Sequence, residues 1–116
     1  MNATQSLIQA SLLGEAVEHG PAAVFVADEN GRYVAVNQAA CSLVGYDRDE
    51  LLGMRVFDLL TAGVELERWR AMLEQGALSG TAALRRKDGS TVEYSYVAGA
   101  TTVAGMPVYV SVGAGP

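Results

Sequence analysis

The sequence predicts an α+β domain in which one antiparallel sheet of five strands carries several short helices. Three observations lead there. Asn30-Gly31 separates the apolar runs Val24–Ala27 and Tyr33–Val36, and both residues tolerate the positive φ that a primed hairpin turn demands. Two very short helices follow, each with a polar cap in front and a glycine behind. Three strand-like runs divided by turn signals then close the chain.

Length and composition permit one domain with one core, since half of the 116 residues are hydrophobic. A net charge of −5 and a pI near 4.7 argue against binding a phosphate backbone, which needs clustered Lys and Arg. Arg85-Arg86-Lys87 is the only basic run, and it reads as a solvated turn before Asp88-Gly89. No basic, apolar leader opens the sequence and no stretch approaches a spanning helix, so a cytoplasmic setting without membrane contact is the expectation. The single cysteine excludes an internal disulfide and agrees with a reducing compartment.

Thr4 or Ser6 can start a first helix, residues 1–20, that Gly20-Pro21 ends. Leu7, Ile8, Leu12 and Leu13 lie on one stripe. Its inner half can cover the domain, and the leucine on its flank leaves apolar surface for a second chain. Ala22–Ala27 is a continuous apolar strand, with Phe25 and Ala27 on one face and Val24 and Val26 on the other. Asn37 can cap a helix from Gln38 that Gly45 terminates. Asp47 and Glu50 form a capping-box pair before Leu51-Leu52, and Gly53 stops that turn. Helices this short are marginal alone, so they must be draped on the sheet. Ala40, Leu43 and Val44 share a face of the first, with Cys41 at its flank as a small apolar residue. Phe57, Leu59 and Leu60 form the next apolar turn. Glu65–Gln75 reads as a longer helix with Leu66, Trp69 and Leu73 on one stripe and Met72 beside it. The closing strands are expected near Thr81–Arg86, Thr91–Thr102 and Val108–Val112. In the second, Tyr94 and Tyr96 share a face.

An apolar strand ending in Asp28, the N-G turn, a strand ending in V-N, then A-A, G-Y, D-E-L-L-G and F-D-L-L form an ordered series. At these spacings it resembles the PAS sensor-domain family, from about Leu13 to Val112. The resemblance implies the strand order 2-1-5-4-3, a domain over 21–113 with a tail at 114–116, and a leading helix of the kind that mediates dimers. It also implies a cavity beneath the Trp69 helix. Phe25, Ala27, Val56, Trp69 and Met72 would line it, with Leu84, Tyr94, Tyr96, Val110 and Val112 from the closing strands. Trp69 by itself reads more readily as plain core than as a ligand contact. Tyr94 and Tyr96 would be polar handles, unless backbone carbonyls satisfy their hydroxyls.

Cofactors of the family find little to hold them. In flavin-binding relatives the reactive cysteine stands in G-R-N-C-R-F-L-Q; the corresponding stretch is Gly53–Leu60, with Val56 at the thiol position. The amides that hydrogen-bond the flavin fall at Leu84 and Tyr94 and near Ala114. Haem would want a histidine on the Glu65–Gln75 helix, which has none, and His19 stands at the end of the first helix. No catalytic constellation, phosphate loop or metal-ligand spacing is present either. The expectation is therefore a non-enzymatic module for signal input or protein association in a larger regulator. It would act either as a homodimer through Leu7, Ile8, Leu12, Val24 and Val26 or by taking a small apolar or aromatic molecule into the cavity.

Overall fold

The computed structural model describes residues 2–61, 70, 71 and 74–116. Helix α1 (Ala3–His19) leads into strands β1 (Ala23–Ala27) and β2 (Tyr33–Val36). Three short helices follow, α2 (Gln38–Val44), α3 (Arg48–Leu51) and α4 (Val56–Leu59), and then strands β3 (Ala77–Arg85), β4 (Thr91–Val103) and β5 (Met106–Ala114). The sheet is antiparallel in the order β2-β1-β5-β4-β3. Of the helix expected at Glu65–Gln75, residues 70, 71, 74 and 75 are described and helical.

Local chemistry explains the short helices. The side-chain amide oxygen of Asn37 accepts from the Ala40 amide as the cap, and Gly45 closes α2 in the left-handed conformation (φ 78°). Asp47 and Glu50 form the reciprocal capping box at α3. Gly53 does not stop that helix. The chain leaves α3 through Leu52 in right-handed backbone, so no glycine is needed there. Asn2, rather than Thr4 or Ser6, caps α1 in a box with Gln5.

The first hairpin turns differently from its N-G signal. Among the described residues Gly31 takes positive φ (78°) but Asn30 does not. The turn instead centres on Glu29-Asn30, because the Asp28 carboxylate accepts from the amides of Asn30 and Arg32 at 2.9 and 3.0 Å. Gly31 then occupies a bulge position, its amide bonded to the Asp28 carbonyl. Ala104-Gly105 makes the primed turn, with φ of 50° and 78° between the paired Val103 and Met106.

β3 starts at Ala77, four residues before the expected Thr81, and β5 begins at Met106 and runs through Ala114. Backbone pairing with β4, regular across Ala77↔Gly99 to Arg85↔Thr91, carries these residues into the sheet despite Gly80. The core lies on one face of the sheet, where Phe25, Tyr33, Val36, Leu84 and Tyr94 meet the buried sides of the short helices. Leu51, Leu59 and Val44 are the largest fully buried side chains, each contributing roughly 1.5–3 kcal/mol by removal from water. Lys87 pairs with Glu50 at 2.7 Å and its amide bonds the Val44 carbonyl, so the basic turn is fastened to the helices.

Helix α1 covers none of this core. No residue of it is buried, and Leu7 (71 % exposed), Ile8, Leu12, Leu13 and Val17 all face solvent. The inner half of its stripe does not serve as a lid, because among the described residues the hydrogen bonds and the ion pair that join the helix to the domain lie near its C-terminal end. There Asn37 donates to the Val17 carbonyl, Glu18 pairs with Arg48, and His19 meets Gln38 at 3.3 Å.

Candidate functional site

Between the sheet and the short helices lies a cavity of about 110 Å³, open on one side. β1 supplies Phe25 and Ala27, which strand alternation turns inward together with Ala23. Val56, at the start of α4, and Leu60 approach from the helix side. They are held by the Val56 amide on the Gly31 carbonyl (2.8 Å) and by the pairing of Leu60 with Leu84. β3 adds Leu78, Ala82 and Leu84, and β4 adds Tyr94, Tyr96 and Ala98.

Tyr33 also lines the cavity, although strict alternation back from Val36 would place it on the opposite face. A bulge decides the matter. Phe25 pairs with Val36 and Ala27 with Tyr33, so β2 spends one residue more than β1 over that interval and both Tyr33 and Val36 turn inward. Sequence periodicity has no signal for this, and Tyr33 was absent from the expected site.

β5 behaves in the reverse sense. Its register sets Ser111 opposite Phe25 and Tyr109 opposite Ala27, so these residues face the cavity. Val112 lies opposite Val24, and at 42 % exposed it belongs to the outer face and not to the cavity. Val110 pairs with Val26 and turns its side chain outward as well, touching the cavity only from the strand itself. Val110 and Val112 mark the outer face, whereas Val108, on the same alternation, is buried (2 % exposed); small and polar residues are what the inner face accommodates beside Tyr94. Gly113 shows why: a Cβ there would meet the Ser95 carbonyl and come within 2.7 Å of the Tyr94 ring. Trp69 and Met72 lie outside the described residues.

The aromatic side chains form a continuous wall. Phe25 lies 5.5 Å from Tyr33 and 5.6 Å from Tyr94, and Tyr94 stacks on Tyr96 at 5.6 Å with 15° between the rings. The Tyr94 hydroxyl is engaged within the sheet, 2.8 Å from the Ser111 hydroxyl and 3.5 Å from the Ala23 carbonyl. Burial pushes the Tyr94 phenol up to about 12 against the opposing effect of the Ser111 hydrogen bond, and burial raises Tyr33 further. Cys41, half-buried on α2, has its thiol pushed up by desolvation, which opposes nucleophilic reactivity. Among the described residues no group of His, Cys, Asp and Glu could hold a metal ion.

The sequence profile of the PAS domain family matches residues 21–112. The chain belongs to the PAS domain family. No curated protein matches it. Among solved structures, a PAS domain from a two-component sensor histidine kinase is 16 % identical, with a TM-score of 0.82 over 96 % of this chain and 99 % of its own. A domain of a sensory box sensor histidine kinase/response regulator from Geobacter sulfurreducens is 23 % identical, with a TM-score of 0.76 over 94 % and 96 %. A light-oxygen-voltage domain studied with a flavin analogue is 22 % identical, with a TM-score of 0.72 over 96 % and 84 %. At these identities the likeness is one of fold. PAS domains of this kind are sensory modules, and the family is generally non-catalytic.

The residues present do not fit a flavin. Val56 and Leu84 put aliphatic groups on the cavity wall and Ala114 is exposed, so these positions offer neither a thiol nor side-chain amides to the ring system.

Proposed function

We propose that this PAS domain is a signal-input module of a larger cytoplasmic regulator, acting through association of two copies along α1 and the outer face of the sheet. A histidine kinase, a cyclic-dinucleotide enzyme or a transcription factor would suit such a module. The supporting observation is that α1, seventeen residues long, buries nothing within its own chain yet carries Leu7, Ile8 and Leu12 on its surface. Beside its root the outer face presents Val24, Val112 and Val97 in one row and Val26 and Val110 in the next. Apolar surface of this extent is stabilised by burial against a partner. In this reading residues 1–20 are the flanking helix, 21–113 the sensory core and 114–116 a tail.

Sedimentation velocity with circular dichroism tests it. Replacing Ile8 and Leu12 by glutamate would bury unpaired charge in the interface, at several kcal/mol. The expected outcome is a wild-type dimer and a folded, monomeric variant. A wild-type protein already monomeric at high micromolar concentration removes the association reading.

A second reading, ligand sensing, is favoured by the cavity beneath the helices. A molecule bound there would act on β1 and β5, whose opposite faces carry the valine rows, and so could shift the balance between associated states.

A further inference from the structure

We propose that the cavity takes a neutral, single-ring aromatic molecule bearing a hydrogen-bond acceptor, and that the Tyr33 hydroxyl is the group that holds it. This rests on the ligand-sensing reading and names its ligand class.

The first observation is an unmet hydrogen bond. Tyr33 is 6 % exposed, and its hydroxyl makes no hydrogen bond among the described residues. A buried phenol without a partner is unfavourable and uncommon. Nor is that hydroxyl sealed in, since no side-chain polar atom among the described residues is both fully enclosed and unpartnered. Tyr33 is one of the residues that line the cavity, and we assign its hydroxyl to an occupant of that space. Tyr94 differs, because Ser111 already engages its hydroxyl at 2.8 Å.

Charge and shape restrict the occupant. None of the described lining residues carries a charged side chain, and Asp58 lies close enough to add to the forces that keep Tyr33 protonated. Burial is the largest of these, followed by Tyr94 and then Asp58. The phenol therefore remains a donor, and an anion would enter without a cation and beside a carboxylate. The walls are aromatic, with Phe25 edge-on to Tyr94 and Tyr94 stacked on Tyr96, and they favour ring contacts with an aromatic occupant. A space of about 110 Å³ is of the order of the ~150 Å³ apolar cavity that admits benzene, so it suits a single ring with at most a small substituent.

Calorimetric titration of the full chain with acetophenone, with ethylbenzene as the analogue lacking an acceptor and with benzoate as the anion, tests the proposal. Acetophenone and ethylbenzene are expected to bind, and benzoate is not. Tyr33→Phe removes an unpartnered hydroxyl, so its melting temperature should be unchanged or higher. It should weaken acetophenone by about 3- to 10-fold, the worth of one hydrogen bond, and leave ethylbenzene unaltered. Ala98→Leu, which fills the cavity wall, should weaken both neutral probes. Equal acetophenone affinity in wild type and Tyr33→Phe overturns the role of Tyr33 while leaving cavity binding intact, and benzoate binding as tightly as acetophenone overturns the restriction to neutral molecules. Binding of neither neutral probe, or undiminished binding to Ala98→Leu, overturns the ligand-sensing reading as well.

Discussion

The side-chain amide of Asn37 donates to the backbone carbonyl of Val17 at 2.6 Å, tying the last turn of α1 to the end of β2. The same side chain donates to Ala22 and accepts from the amides of Val24 and Ala40, so one buried residue joins α1, β1 and α2. Asn37→Ala leaves these backbone groups without partners in a site that is 3 % exposed. A loss of about 3 kcal/mol is expected, measured as a lower midpoint in chemical denaturation. An unchanged midpoint would show that water replaces the amide without loss.

Ala104 holds positive φ without being glycine, in a turn whose two central residues both require that conformation. Asparagine tolerates it better than alanine. Ala104→Asn is therefore expected to stabilise the protein by about 1 kcal/mol, seen as a melting temperature several degrees higher. No rise would mean that the turn relaxes to another type at no gain.

Gly113 allows β5 to pass beneath the Tyr94 ring, where a Cβ would come within 2.7 Å of it. Backbone on the other side leaves little freedom to retreat. Gly113→Ala should destabilise the fold by about 2 kcal/mol and disturb Tyr94, visible as altered near-ultraviolet dichroism. A variant with wild-type stability and spectrum would show that the strand has slack there.

Tyr33 and Tyr94 both have phenol ionisation raised by burial, Tyr94 to about 12. A group raised in the folded state contributes stability that is complete below its unfolded value, about 10 for tyrosine, and is lost as pH climbs through the folded value. Stability should thus fall above about pH 10, by up to about 1.4 kcal/mol per pH unit for each tyrosine. Phenolate absorbance from these two residues should appear together with loss of circular dichroism. Ionisation of all five tyrosines before any unfolding would contradict their burial.

Much of this architecture was legible in the sequence because it is written in local chemistry. Asn37, Gly45, Asp47 and Glu50 declare their caps by identity and spacing, and the strand order comes from the family that the series of motifs resembles. Alternation is regular at Phe25 and Ala27 and at Tyr94 and Tyr96, so each pair shares a face as its spacing implies. It fails where pairing between distant strands overrules the local pattern. A single bulged residue in β2 brings Tyr33 inward, and Val110 and Val112 of β5 face outward while Ser111 and Gly113 make room for Tyr94. Such choices depend on a neighbour far along the chain.

The fastening of α1 at one end makes it a lever. Seventeen residues at 1.5 Å each give an arm of about 25 Å, pivoting where Val17, Glu18 and His19 meet α2 and α3. A tilt of about 10° at that pivot would sweep Ala3 through about 4 Å. The pivot shares Asn37 with β1, and β1 carries Phe25 and Ala27 on the cavity wall. A displacement too small to disturb the sheet could therefore be read at the far end of the helix as the better part of one helical turn.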